Sequence, residues 1–265
     1  MPVSREKALT YSSYLEIDRL LELQRPLSPG PEHDELLFIV IHQVYELWFK
    51  EVNHEIAHLQ RTLEVGETPD ALATFRRILT ILKTLVAQVD VLETMTPVSF
   101  ASFRDRLESA SGFQSAQFRE MEFRLGQKRE KLLEHHPPGT PGRRRLEEVY
   151  ESPSLYASFL RFLARSYDIP AELLERDPRL PPPESARVRE VLLQVYRTDH
   201  LSRSVCERMV DLDEGLQEWR YRHVKMVERT IGWKRGTGGS EGAAYLRATL
   251  FRPLFPDLWE IRADL

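Results

Sequence analysis

Two histidines stand on helical faces that are otherwise apolar. His42 falls in the series Phe38, His42, Tyr45, Phe49, Val52, Ile56, Leu59, Leu63, and His223 falls in Val205, Met209, Leu212, Leu216, Trp219, His223, Met226. Both series advance by alternating steps of four and three, the spacing of one face of an α-helix. An imidazole on such a face must satisfy two ring nitrogens away from water. A core histidine bonded to a carbonyl does so, and so does a ligand. Two of them, on the two most apolar helices of a chain with a single cysteine, suit a large apolar cofactor, for which haem iron held by one helical histidine is the leading candidate. A third residue joins them. In PVSFASFRDRL, Arg104 shares a face with Phe100, Phe103 and Leu107, and a guanidinium there needs an anion. An internal carboxylate and a bidentate clamp on a ligand carboxylate both meet that need.

Two louder motifs point elsewhere. HEIAH, residues 54–58, matches the H-E-x-x-H pattern of zinc hydrolases. At about 100° per residue, however, His54 and His58 lie roughly 160° from Ile56 and the Val52/Leu59/Leu63 stripe, which turns the pair toward solvent. The paired E-x-x-H spacings in the same stretch share one helix, whereas di-iron bundles need them on different helices. TIGWKRGTGGSEG, residues 230–242, has the glycines of a phosphate loop, but Lys234 precedes them, and in a P-loop the lysine follows. Tyr11 and Tyr14 in LTYSSYL fit a core and an interface equally well.

The elements that must position these groups are helices. Glycine is scarce, long segments carry apolar residues three and four apart, and Pro/Gly-rich breaks separate them without forming an interdomain linker. The pattern predicts an all-α fold, one helical domain spanning residues 1–265. The 265 residues are 42% hydrophobic, enough to fill a core, and the net charge of −4 lacks the basic excess that nucleic-acid binding requires. Cys206 is the only cysteine, so neither an intramolecular disulfide nor a covalent c-type haem attachment is expected. No apolar run is long enough to span a bilayer, and the first residues lack the apolar core of a signal peptide; a cytoplasmic protein without a membrane role is expected.

The segments LTYSSYL, HDELLFIVIHQVYELWFKE, VLETMTP, FRDRLESASGFQS, PSLYASFLR and WRYRHVKMVERTIGWKRGTGGS, in that order, closely resemble the tryptophan 2,3-dioxygenase family over most of the chain. The resemblance implies an all-α fold with two long apolar helices enclosing a haem pocket, non-covalent haem b, one per subunit, dioxygen as co-substrate, and L-tryptophan converted to N-formylkynurenine. It implies a helical homotetramer with active sites shared between subunits, residues 1–24 contacting a neighbour. By position, His223 matches the axial haem ligand, His42 the distal-pocket histidine, and Phe38, Ile39, Val40 and Ile41 the pocket lining. Arg104 matches the clamp on the substrate carboxylate, with Phe100 beside it. Thr237 matches a contact to the amino-acid end of the substrate, Tyr11 and Tyr14 an N-terminal segment reaching the neighbouring site, and Ser111 and Gly112 a turn beside the haem. Phe100 and Phe118 stand where some bacterial members carry tyrosine. A broader indoleamine dioxygenase, a haem sensor without turnover, and the zinc hydrolase through His54, Glu55 and His58 are the rival readings.

Overall fold

In the computed structural model, which describes residues 8–30, 32–234 and 243–265, the chain is built of helices and turns, with no strand among the described residues. In chain order the helices are α1 (Tyr11–Leu15), α2 (Ile17–Leu20), α3 (His33–Val65), α4 (Thr68–Leu92), α5 (Pro97–Arg104), α6 (Ala116–Arg124), α7 (Pro141–Tyr150), α8 (Leu155–Ala164), α9 (Ala171–Leu174), α10 (Ala186–Thr198), α11 (His200–Ile231), α12 (Ala243–Arg247) and α13 (Pro256–Glu260). The helical class expected from the sequence is what the chain adopts.

Three long helices carry the architecture. No glycine or proline interrupts residues 33–65, so α3 runs unbroken for 33 residues until Gly66 ends it at φ 83°, a left-handed conformation that a side chain would strain. Along it Phe49, Val52, Ile56, Leu59 and Leu63 are buried, the apolar stripe of the sequence turned into a core face. α4 packs along both α3 and α11. Gly215, midway along α11, permits the close approach of α11 to α4, because a Cβ there would stand 3.3 Å from Leu82 Cδ1. Asp199 caps the start of α11 by accepting from the amides of Leu201 and Ser202. Farther along α11, Arg222 reaches Asp90 at 2.6 Å and Glu93 at 3.1 Å, fixing α11 against the end of α4 one residue before His223.

The apolar interior falls into a main cluster between α3, α4, α8, α10 and α11 and a second one around Ile41, Val89, Leu92, Met95, Phe100, Phe103 and Met226. The second cluster joins α3, α4, α5 and α11, and it is the packing that sets His42 opposite His223. α1 and α2 bury none of their residues, and Tyr11 and Tyr14 are 77% and 72% exposed. None of the described helices is long and apolar enough to cross a membrane.

Candidate active site

A cavity is lined by residues of α3, α4, α5, α6 and α11. α3 supplies Phe38, His42, Tyr45, Glu46 and Phe49; α5 supplies Phe100 and Arg104; α11 supplies Trp219, Arg220 and His223; the turn at 110–115 and α12 complete the wall. Aromatic rings crowd both sides of the cavity. On the His42 side, Phe38 lies 4.1 Å from the His42 ring, 5.8 Å from Phe100 and 5.6 Å from Phe103. On the other, Trp219 meets Phe118 at 5.1 Å and Phe49 at 6.0 Å and stacks on His223 at 5.2 Å with the planes only 5° apart. Such walls exclude water and strengthen every polar contact made inside them.

His42 has a defined tautomer. Its Nδ1 lies 2.7 Å from the Phe38 carbonyl, one turn earlier in α3. A carbonyl can only accept, so Nδ1 carries the proton, and in the neutral ring Nε2 is left with a lone pair. Burial lowers the His42 pKa below the ordinary imidazole value, with the Phe38 carbonyl opposing it less strongly, so the neutral form dominates at neutral pH. The residue is therefore a hydrogen-bond acceptor aimed from an apolar wall.

His223 differs. No hydrogen bond joins its ring to another described residue, and its access to solvent runs through the cavity it lines. Burial first, and the neighbouring His42 second, push its pKa down to about 4. A neutral imidazole stacked on Trp219, with no hydrogen bond to another described residue, keeps a lone pair that could bind a metal.

Near His223 the cavity has a cationic side. Arg119, Arg220 and Arg129 converge on the single carboxylate of Glu122, at 2.5, 3.1 and 3.5 Å. Arg119 and Arg220 are buried, as is Glu122, and Arg220 Nη1 has no hydrogen-bond partner. Arg129 also donates to the Tyr245 hydroxyl at 2.9 Å. Three guanidinium groups on one carboxylate leave an excess of positive charge that an acidic ligand group would balance. A planar aromatic slot, one free imidazole and a cationic edge fit an iron porphyrin with its two carboxylates. Gly112 belongs to the same fit: it lines the cavity, and a Cβ there would meet nothing within 4 Å, so the turn leaves open space against the slot.

The rival metal site does not assemble. Glu55 turns inward to Arg77, with Nη1 at 2.8 Å from Oε1, while His54 is exposed. Among the described residues no group of three or more His, Cys, Asp or Glu side chains could hold a metal ion.

A family model described as tryptophan 2,3-dioxygenase matches residues 2–140 and 173–265. The chain belongs to the tryptophan 2,3-dioxygenase family. It is similar to the tryptophan 2,3-dioxygenase of Herpetosiphon aurantiacus, 60% identical over 98% of this chain and 99% of that protein. It is similar also to those of Anaeromyxobacter sp. strain K, 59% identical over 100% and 99%, and Kineococcus radiotolerans, 44% identical over 98% and 92%.

Within this tryptophan 2,3-dioxygenase family member, Phe38, His42, Phe100, Arg104, Ser111, Gly112 and His223 line one cavity. Ile39, Val40 and Ile41 do not: Ile41 is buried against the second apolar cluster and Val40 is 38% exposed. Consecutive helical residues spread around the axis, so of that run only Phe38 shares the face of His42. Tyr11 and Tyr14 lie outside the cavity of their own chain. Thr237 lies outside the described residues. Sequence reasoning missed Glu46, Arg119, Glu122, Arg220 and Tyr245. Glu46, one turn after His42, lines the cavity with its carboxyl pKa raised by burial and partly restored by the Ser115 hydroxyl. The only available signal for Glu46 was its four-residue step from His42, and a glutamate at such a step reads equally well as a surface residue.

Proposed function

We propose that this chain is a haem-dependent dioxygenase that inserts both atoms of dioxygen across the C2–C3 bond of the indole of L-tryptophan, giving N-formylkynurenine. The observation that carries the reading is a single apolar cavity holding a partnerless imidazole on one wall and an acceptor imidazole on the other, in a chain of this family. His223 would hold haem through its iron, and Arg119, Arg220 and Tyr245, which line the cavity, would receive the carboxylate edge. Haem so bound supplies the activation of dioxygen.

The chain's own residues do the rest. Nε2 of His42 accepts the indole N–H, because Nδ1 is already donating to the Phe38 carbonyl. That single contact sets the in-plane direction of the ring. Phe38, Phe100 and Phe49 confine it and exclude water, and Arg104 binds the carboxylate of the amino-acid end, so the substrate is held at two points across an apolar span. The orientation leaves the C2–C3 edge facing the His223 side. Whichever direction the N–H proton moves, its path is the Nε2 lone pair.

The test is a spectrum and a product. Protein purified with haem should show a Soret band, and L-tryptophan under air should yield N-formylkynurenine by mass spectrometry. Protein that binds no haem, or that binds haem and returns tryptophan unchanged, would overturn the proposal.

The chain also works as one helical domain within a homotetramer. One exposed apolar feature supports assembly: the N-terminal segment with Leu9, Tyr11, Tyr14, Leu21 and Leu23. Tyr14 then completes a neighbour's cavity. Tyr14→Ala is expected to raise the KM for tryptophan several-fold with haem content unchanged. Mixing a His223→Ala chain with a chain lacking residues 1–24, each inactive alone, should restore part of the activity; verified mixed oligomers without activity would rule out shared sites.

A further inference from the structure

α12 spans only five residues, buries only Ala243, and yet places Tyr245 and Leu246, with Thr249 just beyond it, in the cavity wall. So short a helix does not fix its own position, since isolated helices below about 12 residues are marginal. Its place must come from its contacts with the rest of the chain, at its middle and at its C-terminal end. Tyr245 is held by the Arg129 guanidinium at 2.9 Å and by the edge of Phe113 at 5.5 Å. At the C-terminal end Arg247 Nε donates to Glu228 Oε1 on the last turns of α11, and its guanidinium lies 4.8 Å from the centroid of Trp233. Glu228 is in turn held by Lys225 at 3.0 Å and is 18% exposed while Arg247 is 48% exposed, so the pair is partly screened by solvent.

We infer that Arg247 is a positioning residue, clamping α12 onto α11 through Glu228 and Trp233 so that Tyr245, Leu246 and Thr249 stay in the cavity wall. The inference rests on the reading of this cavity as the haem and tryptophan site. Arg247 touches neither ligand, so its loss should act on binding and leave the reacting groups in place.

The experiment uses the haem-loaded protein and three variants: Arg247→Glu, Glu228→Arg and the double exchange. Each single variant is expected to raise the KM for tryptophan about 5- to 10-fold, the combined size of a partly screened ion pair and a cation–π contact. kcat should stay within about twofold, and haem release to an apomyoglobin acceptor should quicken by a similar factor to KM. The double exchange, which restores opposite charges, should return both KM and release rate most of the way to those of the unaltered protein. Single variants with unaltered KM and unaltered haem release would overturn the clamp, as would a double exchange whose losses are the sum of the two. Should the unaltered protein bind haem without turning over tryptophan, the activity reading fails, and the haem-release arm still decides the clamp.

Discussion

Replacing His223 with alanine is expected to leave a folded protein that retains little haem and has no measurable turnover, whereas His42→Ala keeps its haem and loses only part of its rate. The two residues line the same cavity but differ in what their nitrogens already do. The His223 ring has no hydrogen bond to a described residue and lies flat on Trp219, so its removal deletes the imidazole of this cavity whose nitrogens are not committed to another described residue. His42 spends Nδ1 on the Phe38 carbonyl and offers only Nε2, so its removal deletes an orienting contact. General acid–base or orienting groups of this kind contribute about 10²- to 10⁴-fold when they move a proton in the rate-limiting step, and less when they only align a substrate. Haem content by pyridine haemochrome, measured beside kcat, separates the cases; equal haem loss in both variants would contradict the assignment. The pH profile adds a sign. Because burial lowers the His42 pKa, its acceptor lone pair survives below the ordinary imidazole range and is lost only on further acidification. An acid limb of kcat/KM lying below pH ~6.5 in the unaltered protein should therefore vanish in His42→Ala.

Arg104→Lys should lower kcat/KM for L-tryptophan by roughly 30-fold or more, since loss of a bidentate charge-assisted pair in a dry site costs about 2 to 5 kcal/mol. Lysine keeps the charge and loses the fork. Arg104 is the last residue of α5 and half-buried, with Phe100 one turn before it on the same cavity wall, so the guanidinium faces a site and is not simply solvated. Tryptamine lacks the carboxylate and should be a poor substrate for both proteins, so the ratio of the two kcat/KM values is the discriminating quantity. If Arg104→Lys leaves that ratio unchanged and lowers only the thermal stability, Arg104 is an internal ion-pair partner and the clamp is disproved. A ratio near one in the unaltered protein would favour the broader indoleamine reading.

How much of this was legible in the sequence follows from where each signal lives. The stripe from Phe49 to Leu63 and the stripe from Val205 to Trp219 repeat with the helix period, and burial in the fold follows the same residues, because period is a local property. The histidines were legible as exceptions within those stripes. The cluster of Arg119, Arg129 and Arg220 on Glu122 was not, since it draws on α6, the loop after it and α11, and no local pattern tells a buried charge from a solvated one until its partners meet. The resemblance places Phe38 to Ile41 in the pocket as a run, and helical geometry lets a run contribute one residue to a face. Tyr11 and Tyr14 are ambiguous for a different reason: an aromatic residue in a short helix fits a core and an interface equally well, and no described residue of the chain buries them.

The bond from His42 to the Phe38 carbonyl begins and ends within one turn of one helix. The nitrogen that carries the proton is thus set by the helical backbone, while the packed Phe38 ring steadies the imidazole. Phe100, Phe118 or the α12 residues can be exchanged, and the cavity reshaped for another indole, without rewriting where the proton sits. Evolution of substrate choice and preservation of proton geometry are in this way assigned to separate parts of the chain. A kink introduced between residues 38 and 42 would be the change that couples them.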